Sequence, residues 1–134
     1  MTPHRHPERA IQAAIVQLLR HVGAQVYTLG TTRRRGDYQG TCMSPGLPDC
    51  IALLPRDLGV LFVEVKSPTG RLRPEQALFR DLCLRATDAG RGVYHVVGGL
   101  DAVMVMLMQV GLLKADQVAH YHTTAGQLAQ EAPV

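Results

Sequence analysis

GLPDCIALLPRDLGVLFVEVKSP, residues 46–68, holds two apolar runs around one turn. Asp49–Leu54 and Val60–Lys66 each read as a strand, short and rich in Ile, Leu, Val and Phe. PRDLG, residues 55–59, has the composition of a turn. Side chains two apart on a strand share a face. Val60, Phe62, Glu64 and Lys66 therefore lie together, and Leu61, Val63 and Val65 lie opposite. The second set can pack a core while Glu64 and Lys66 look outward. Charge on such strands is costly when buried and unpaired, and reasonable where the face opens into a cleft. If the strands form a hairpin, Asp49 lies near the same end as Glu64. Two readings of this spacing stand side by side. One is a plain Glu64–Lys66 salt bridge at a sheet edge. The other is a site where two carboxylates and an ammonium converge.

The flanking sequence supplies the other elements. Pro7–Val22 predicts a helix: Pro suits its first position and Gly23 its stop, and Ile11, Ala14, Ile15, Leu18, Leu19 and Val22 recur at helical spacing. Gln25–Leu29 is a short strand. GTTRRRGDYQGTCMSP, residues 30–45, is a polar loop with three consecutive arginines. After the second strand comes a basic loop, SPTGRLR, then a helix from Pro74 to about Ala89. A strand over Val93–Val97 and an apolar helix from Leu100 to about Leu113 follow, with Asp101 suiting the helix dipole. The last twenty or so residues read as irregular or weakly helical. The order α-β-β-β-α-β-α predicts an α/β layer fold with a mixed sheet.

Composition narrows the class. The chain has 134 residues, 46% of them hydrophobic, with three cysteines and a net charge of +3. That suits one globular domain that buries a core without disulfides. Cys42, Cys50 and Cys83 show no CxxC spacing, which argues against structural zinc and for a reducing compartment. No apolar run is long enough for a membrane helix, and MTPHRHPERAIQ lacks the apolar region of a signal peptide. The expected location is the cytoplasm of a bacterial or phage-infected cell. Of 14 basic residues only Lys66 and Lys114 are lysines. Arginine favours planar contact with phosphate, which hints at a nucleic-acid partner.

Hard oxygen ligands such as Asp49 and Glu64 suit Mg²⁺ or Mn²⁺. Such an ion activates water and offsets charge on an attacked phosphodiester. Lys66, a compact charge in a chain that otherwise chooses arginine, can position that water or neutralise a developing oxyanion. Glu8 shares the helical stripe of Ile11, Ile15, Leu18 and Val22. It reads either as a further acidic group of the site or as a first-turn residue stabilised by the helix dipole.

PD followed fifteen residues on by EVK resembles the PD-(D/E)xK nuclease superfamily. More closely, the chain resembles the VRR-NUC (virus-type replication-repair nuclease) family. The resemblance runs from about Glu8 to Val105. It rests on Glu8, on G-x-P-D (Gly46, Pro48, Asp49), on E-V-K (Glu64, Val65, Lys66) and on EVKSPTGRLRPEQ leading to Gln76. It implies a restriction-endonuclease-like α/β core, α-β-β-β-α-β, with a mixed central sheet flanked by helices. The nuclease unit would span 1–110, and 111–134 would be a C-terminal extension, helical or dimer-contacting. The resemblance also implies roles. Asp49, Glu64 and the Val65 backbone carbonyl would hold Mg²⁺ or Mn²⁺, with Glu8 completing the acidic cluster. Lys66 would act on the water, and Gln76 would support the site. The implied activity is metal-dependent endonuclease action in DNA repair, selective for branched DNA such as four-way (Holliday) junctions, by a homodimer with no organic cofactor. A flap or restriction-type nuclease, or a non-catalytic DNA-binding protein on the same fold, are the alternatives.

Arg33, Arg34 and Arg35 read as phosphate contacts or as a solvated charged loop. Arg71 and Arg73 read as DNA contacts beside a helix start. Gln76 on its spacing alone could be a capping residue. His120 and His122 read as solvated, and the methionines of VMVMLMQVGLL as core or dimer contact.

Overall fold

A computed structural model describes residues 7–29 and 45–118. The arginines at 33, 34 and 35, Cys42 and the histidines at 120 and 122 lie outside the described residues. Seven elements follow in order: α1 (Pro7–His21), β1 (Gln25–Thr28), β2 (Cys50–Leu54), β3 (Gly59–Val65), α2 (Pro74–Asp88), β4 (Val93–Gly98) and α3 (Leu100–Gln109). Each predicted element is present within a residue or two of its expected limits, except the last helix. That helix ends at Gln109 rather than near Leu113. Gly111, at φ 84, takes a conformation in which the helix cannot continue.

The sheet has strand order β1-β2-β3-β4. β1 pairs antiparallel with β2 and β2 with β3, while β4 joins β3 in parallel. The sheet is therefore mixed, and α2 makes the crossover that a parallel pair requires. One face carries Cys50, Ala52, Leu61, Val63, Val65 and Val96. These pack against Ile15, Leu18 and Leu19 of α1 and Val103, Met104 and Leu107 of α3. Leu113, beyond the expected domain limit at 110, is buried in this same core.

α2 covers the other face over β3 and β4. Phe79 stacks edge-on against Phe62, ring centroids 5.0 Å apart, and lies 5.8 Å from His95 on the next strand. At the far end of α2, the Thr87 hydroxyl donates to the Val93 carbonyl and ties the helix to the start of β4. His95 Nδ1 is buried without a hydrogen-bond partner among the described residues. Burial, and secondly the Arg80 guanidinium, push its pKa down from 6.5 to about 4. Protonation is thus easier in the unfolded chain than in the fold. The His95 contribution to stability is complete above 6.5 and is lost as pH drops from 6.5 toward 4, by at most about 1.4 kcal/mol per pH unit. His95→Phe should remove this slope. Urea midpoints of the two proteins at pH 4.5 and 7 test it, and parallel pH dependences would refute it.

Candidate active site

The site is built at one end of the β2–β3 hairpin. Cys50 pairs with Val63, and Asp49 N–H donates to the Val63 carbonyl at 3.0 Å. Asp49, just before β2, is thereby set against the Val63–Val65 end of β3. Asp49 is held firmly. Its carbonyl accepts Leu29 N–H at 2.8 Å, and its Oδ2 accepts Val65 N–H at 2.7 Å. The N–H and C=O of one strand residue point to the same side. The Val65 carbonyl therefore also faces the Asp49 side, beyond the start of β2.

The approach to Asp49 explains the glycine of G-x-P-D. Gly46 has φ 96, and a Cβ there would come within 2.6 Å of the Glu75 carbonyl. Only glycine lets this loop lie against the first turn of α2.

Glu64 departs from expectation. It does not look into an open cleft but is buried, 4% exposed. The cause is the crossover, which brings the N-terminus of α2 back over the end of β3. A buried carboxylate needs partners, and Gln76 supplies one: its Nε2 donates to Glu64 Oε2 at 3.1 Å. The other end of the same amide, Oε1, accepts Arg73 N–H at 2.8 Å and so caps α2. Gln76 is both the capping residue and the support of Glu64. Lys66 Nζ lies 3.9 Å from Glu64 Oε2. The ion pair expected on spacing alone is therefore present, but it sits within the convergent set and not at an isolated edge.

The electrostatics record how tightly the acids are packed. Burial, the Asp49 charge and a hydrogen bond with Asp49 push the Glu64 pKa up from 4.5 to about 8, and Lys66 and Arg73 oppose this only in part. Burial and the same two carboxylates raise the Cys50 thiol to about 11, so it stays protonated. The site has two acids and too little positive charge to ionise both at neutral pH. Two hard carboxylates and a nearby carbonyl form a donor set that fits Mg²⁺ or Mn²⁺.

The remaining candidates are placed differently. Glu8 is exposed, and its Oε2 accepts Ser67 N–H at 3.3 Å. It reaches the residue after Lys66, at the rim of the set. Among the described residues no group of three or more His, Cys, Asp or Glu side chains is placed to hold a metal ion, so an ion here would need carbonyl and water oxygens as well. Arg71 and Arg73 are exposed on the loop before α2. Sequence reasoning missed Ser67; its signal was only its position directly after E-V-K.

A family model described as the VRR-NUC domain matches residues 6–97. A solved structure titled "VRR_NUC domain" has the same fold, with TM-score 0.56 and 24% sequence identity, covering 78% of this chain and 97% of that one. No curated protein matches the chain. No helix among the described residues is long and apolar enough to cross a membrane.

Proposed function

The chain belongs to the VRR-NUC domain family, a family of nuclease-type domains acting on DNA, and from this we propose that it is a Mg²⁺- or Mn²⁺-dependent DNA endonuclease selective for branched substrates such as four-way junctions. The observation that carries the proposal is the meeting of Asp49 and Glu64 at the end of β3, with Asp49 Oδ2 on Val65 N–H at 2.7 Å and Lys66 Nζ 3.9 Å from Glu64. Asp49, Glu64 and the Val65 carbonyl would hold the ion, and Glu8, at the rim on Ser67 N–H, would join the acidic set. When bound, the cation supplies an activated water and offsets phosphate charge. Lys66 positions that water and stabilises the charge that gathers on the phosphate oxygens. The water oxygen bonds to phosphorus as it gives up a proton to bulk water, one P–O ester bond breaks, and the leaving alkoxide takes a proton from bulk water. Gln76 keeps Glu64 Oε2 engaged and so fixes the orientation of the carboxylate. Arg71, Arg73 and the arginines at 33, 34 and 35 hold the DNA backbone.

One chain carries one site, and symmetric cutting of a junction needs two, so a homodimer is expected. α3 exposes Val105 and Met108, one turn apart, as an apolar stripe for contact. Light scattering at micromolar concentration checks this, and a monomer would remove it. Labelled duplex, flap, splayed and four-way substrates, each with Mg²⁺ and Mn²⁺, test the activity. Preferred cutting of flaps or of one duplex sequence would replace the junction reading. Binding without cutting would leave a non-catalytic DNA-binding protein.

The raised pKa of Glu64 adds a second test. A cation must displace the Glu64 proton below pH 8 or so. Mn²⁺ affinity should therefore rise about tenfold per pH unit up to that point and flatten above it. Calorimetry at pH 6, 7, 8 and 9 measures this, and an affinity indifferent to pH would contradict the raised Glu64 pKa.

A further inference from the structure

A cleft of about 490 Å³ opens beside Lys66, within the size range of small-ligand sites. Its lining includes Lys66, the residue already paired with Glu64. Its apolar wall is Ile11 from α1, Val97 from β4 and Leu100 from α3, and Asp101 also lines it. The carboxylate of Asp101 disfavours a phosphate at its own end. A phosphate is favoured at the Lys66 end, and a flatter, less charged group against the apolar wall.

Two glycines stand where β4 passes into α3, and they differ. Gly98 has φ +143, and its Cβ would press on Ala102 Cβ at 3.2 Å. The backbone itself calls for glycine there. Gly99 has φ −113 and ψ −156, an extended conformation open to any residue. A Cβ on it would meet only Ile11 Cγ2, at an ordinary 3.6 Å. Neither strain nor crowding requires glycine at this position, and Ser, Asp or Asn would cap α3 at least as well. What a longer side chain at 99 would do is fill the cleft.

We infer that this cleft seats the deoxynucleotide directly adjoining the scissile phosphate, its sugar and base on the wall of Ile11, Val97 and Leu100, and that Gly99 is a specificity-determining position left open for it. The inference rests on the nuclease reading. Lys66 belongs to both sites, so an occupant of the cleft is the immediate neighbour of the group being cut.

Gly99→Leu fills the space, and Gly99→Ser fills less of it, so the two grade the effect by side-chain size. Both should melt close to the wild type. Gly99→Leu should raise KM for a labelled junction about tenfold or more, with a smaller loss in kcat, and the smaller Gly99→Ser should raise KM by less. In EDTA, fluorescence anisotropy should show Gly99→Leu binding the junction several-fold more weakly. A measurement on the wild type needs no variant: an abasic propyl spacer replaces the nucleotide on either side of the cut. On one side it should slow cleavage several-fold, and Gly99→Leu should suffer no further loss from it, because both changes remove one contact. An unchanged KM in Gly99→Leu, spacers without effect on either side, or losses that multiply would overturn the inference. A wild type that cuts no DNA would instead overturn the nuclease reading beneath it.

Discussion

Asp49→Asn and Lys66→Ala should each lower cleavage of a four-way junction by about a thousandfold or more in Mg²⁺ or Mn²⁺, while binding in EDTA changes little. The two losses have different origins. Asn at 49 can still accept the Val65 N–H that Asp49 Oδ2 takes at 2.7 Å, so the hairpin stays paired. What disappears is a charged oxygen ligand. Asp49 is also a cause of the raised Glu64 pKa, so the substitution lets Glu64 ionise more easily, and cation-free Asp49→Asn should be about as stable as the wild type. Loss of activity without loss of stability marks a group selected for the site and not for the fold. Lys66→Ala removes the ammonium 3.9 Å from Glu64. Lys66→Arg should not restore cutting, because a planar fork cannot replace a point charge held among carboxylates. Purified Lys66→Ala that cuts within about tenfold of the wild type would remove the role assigned to this residue.

Gly59→Ala should cost more stability than any single change in the loops. Gly59 opens β3 at φ +124, and a Cβ there would fall 2.0 Å from the Gly92 carbonyl. That carbonyl accepts Val60 N–H at 2.8 Å, the bond that starts the β3–β4 pairing. The methyl group cannot be accommodated by a side-chain rotation, since both crowded groups are backbone. The strands must separate at that end, and β3 carries Glu64. The expected loss is roughly 3 kcal/mol or more, which lowers Tm by about ten degrees or more in a domain of this size. Gly90→Ala is the control. Gly90 also has positive φ, +74, but nothing lies within 4 Å of its Cβ position. It should cost only about 1 kcal/mol, from backbone strain alone. Thermal melts of the two variants compare crowding with strain directly. Equal losses would show that the close approach of β3 to β4 is not what requires glycine at 59.

Local periodicity made most of the architecture legible. Apolar spacing marked α1, β2 and β3, and proline and glycine marked where α1 began and stopped. Alternation along β3 correctly separated Leu61, Val63 and Val65, which are buried in the core, from Glu64. These properties depend on neighbours within a few positions, and a single chain displays them. The charged positions of the hairpin were visible for the same reason.

What surrounds those charges was not visible. That α2 folds back over Glu64, that Gln76 joins the Arg73 N–H to the Glu64 carboxylate, and that Glu8 ends on Ser67 N–H are contacts between segments up to 59 residues apart. Alternation assigns Glu64 to a face but cannot say whether a helix covers that face. The sequence by itself determined the order of the elements and which residues could do chemistry, because both follow from local side-chain pattern. Only the tertiary structure decided that Glu64 is enclosed, that Glu8 stays at the rim, and that a cleft opens beside Lys66. Those outcomes depend on the crossover of α2 and on where α1, β4 and α3 meet, and no local pattern encodes either.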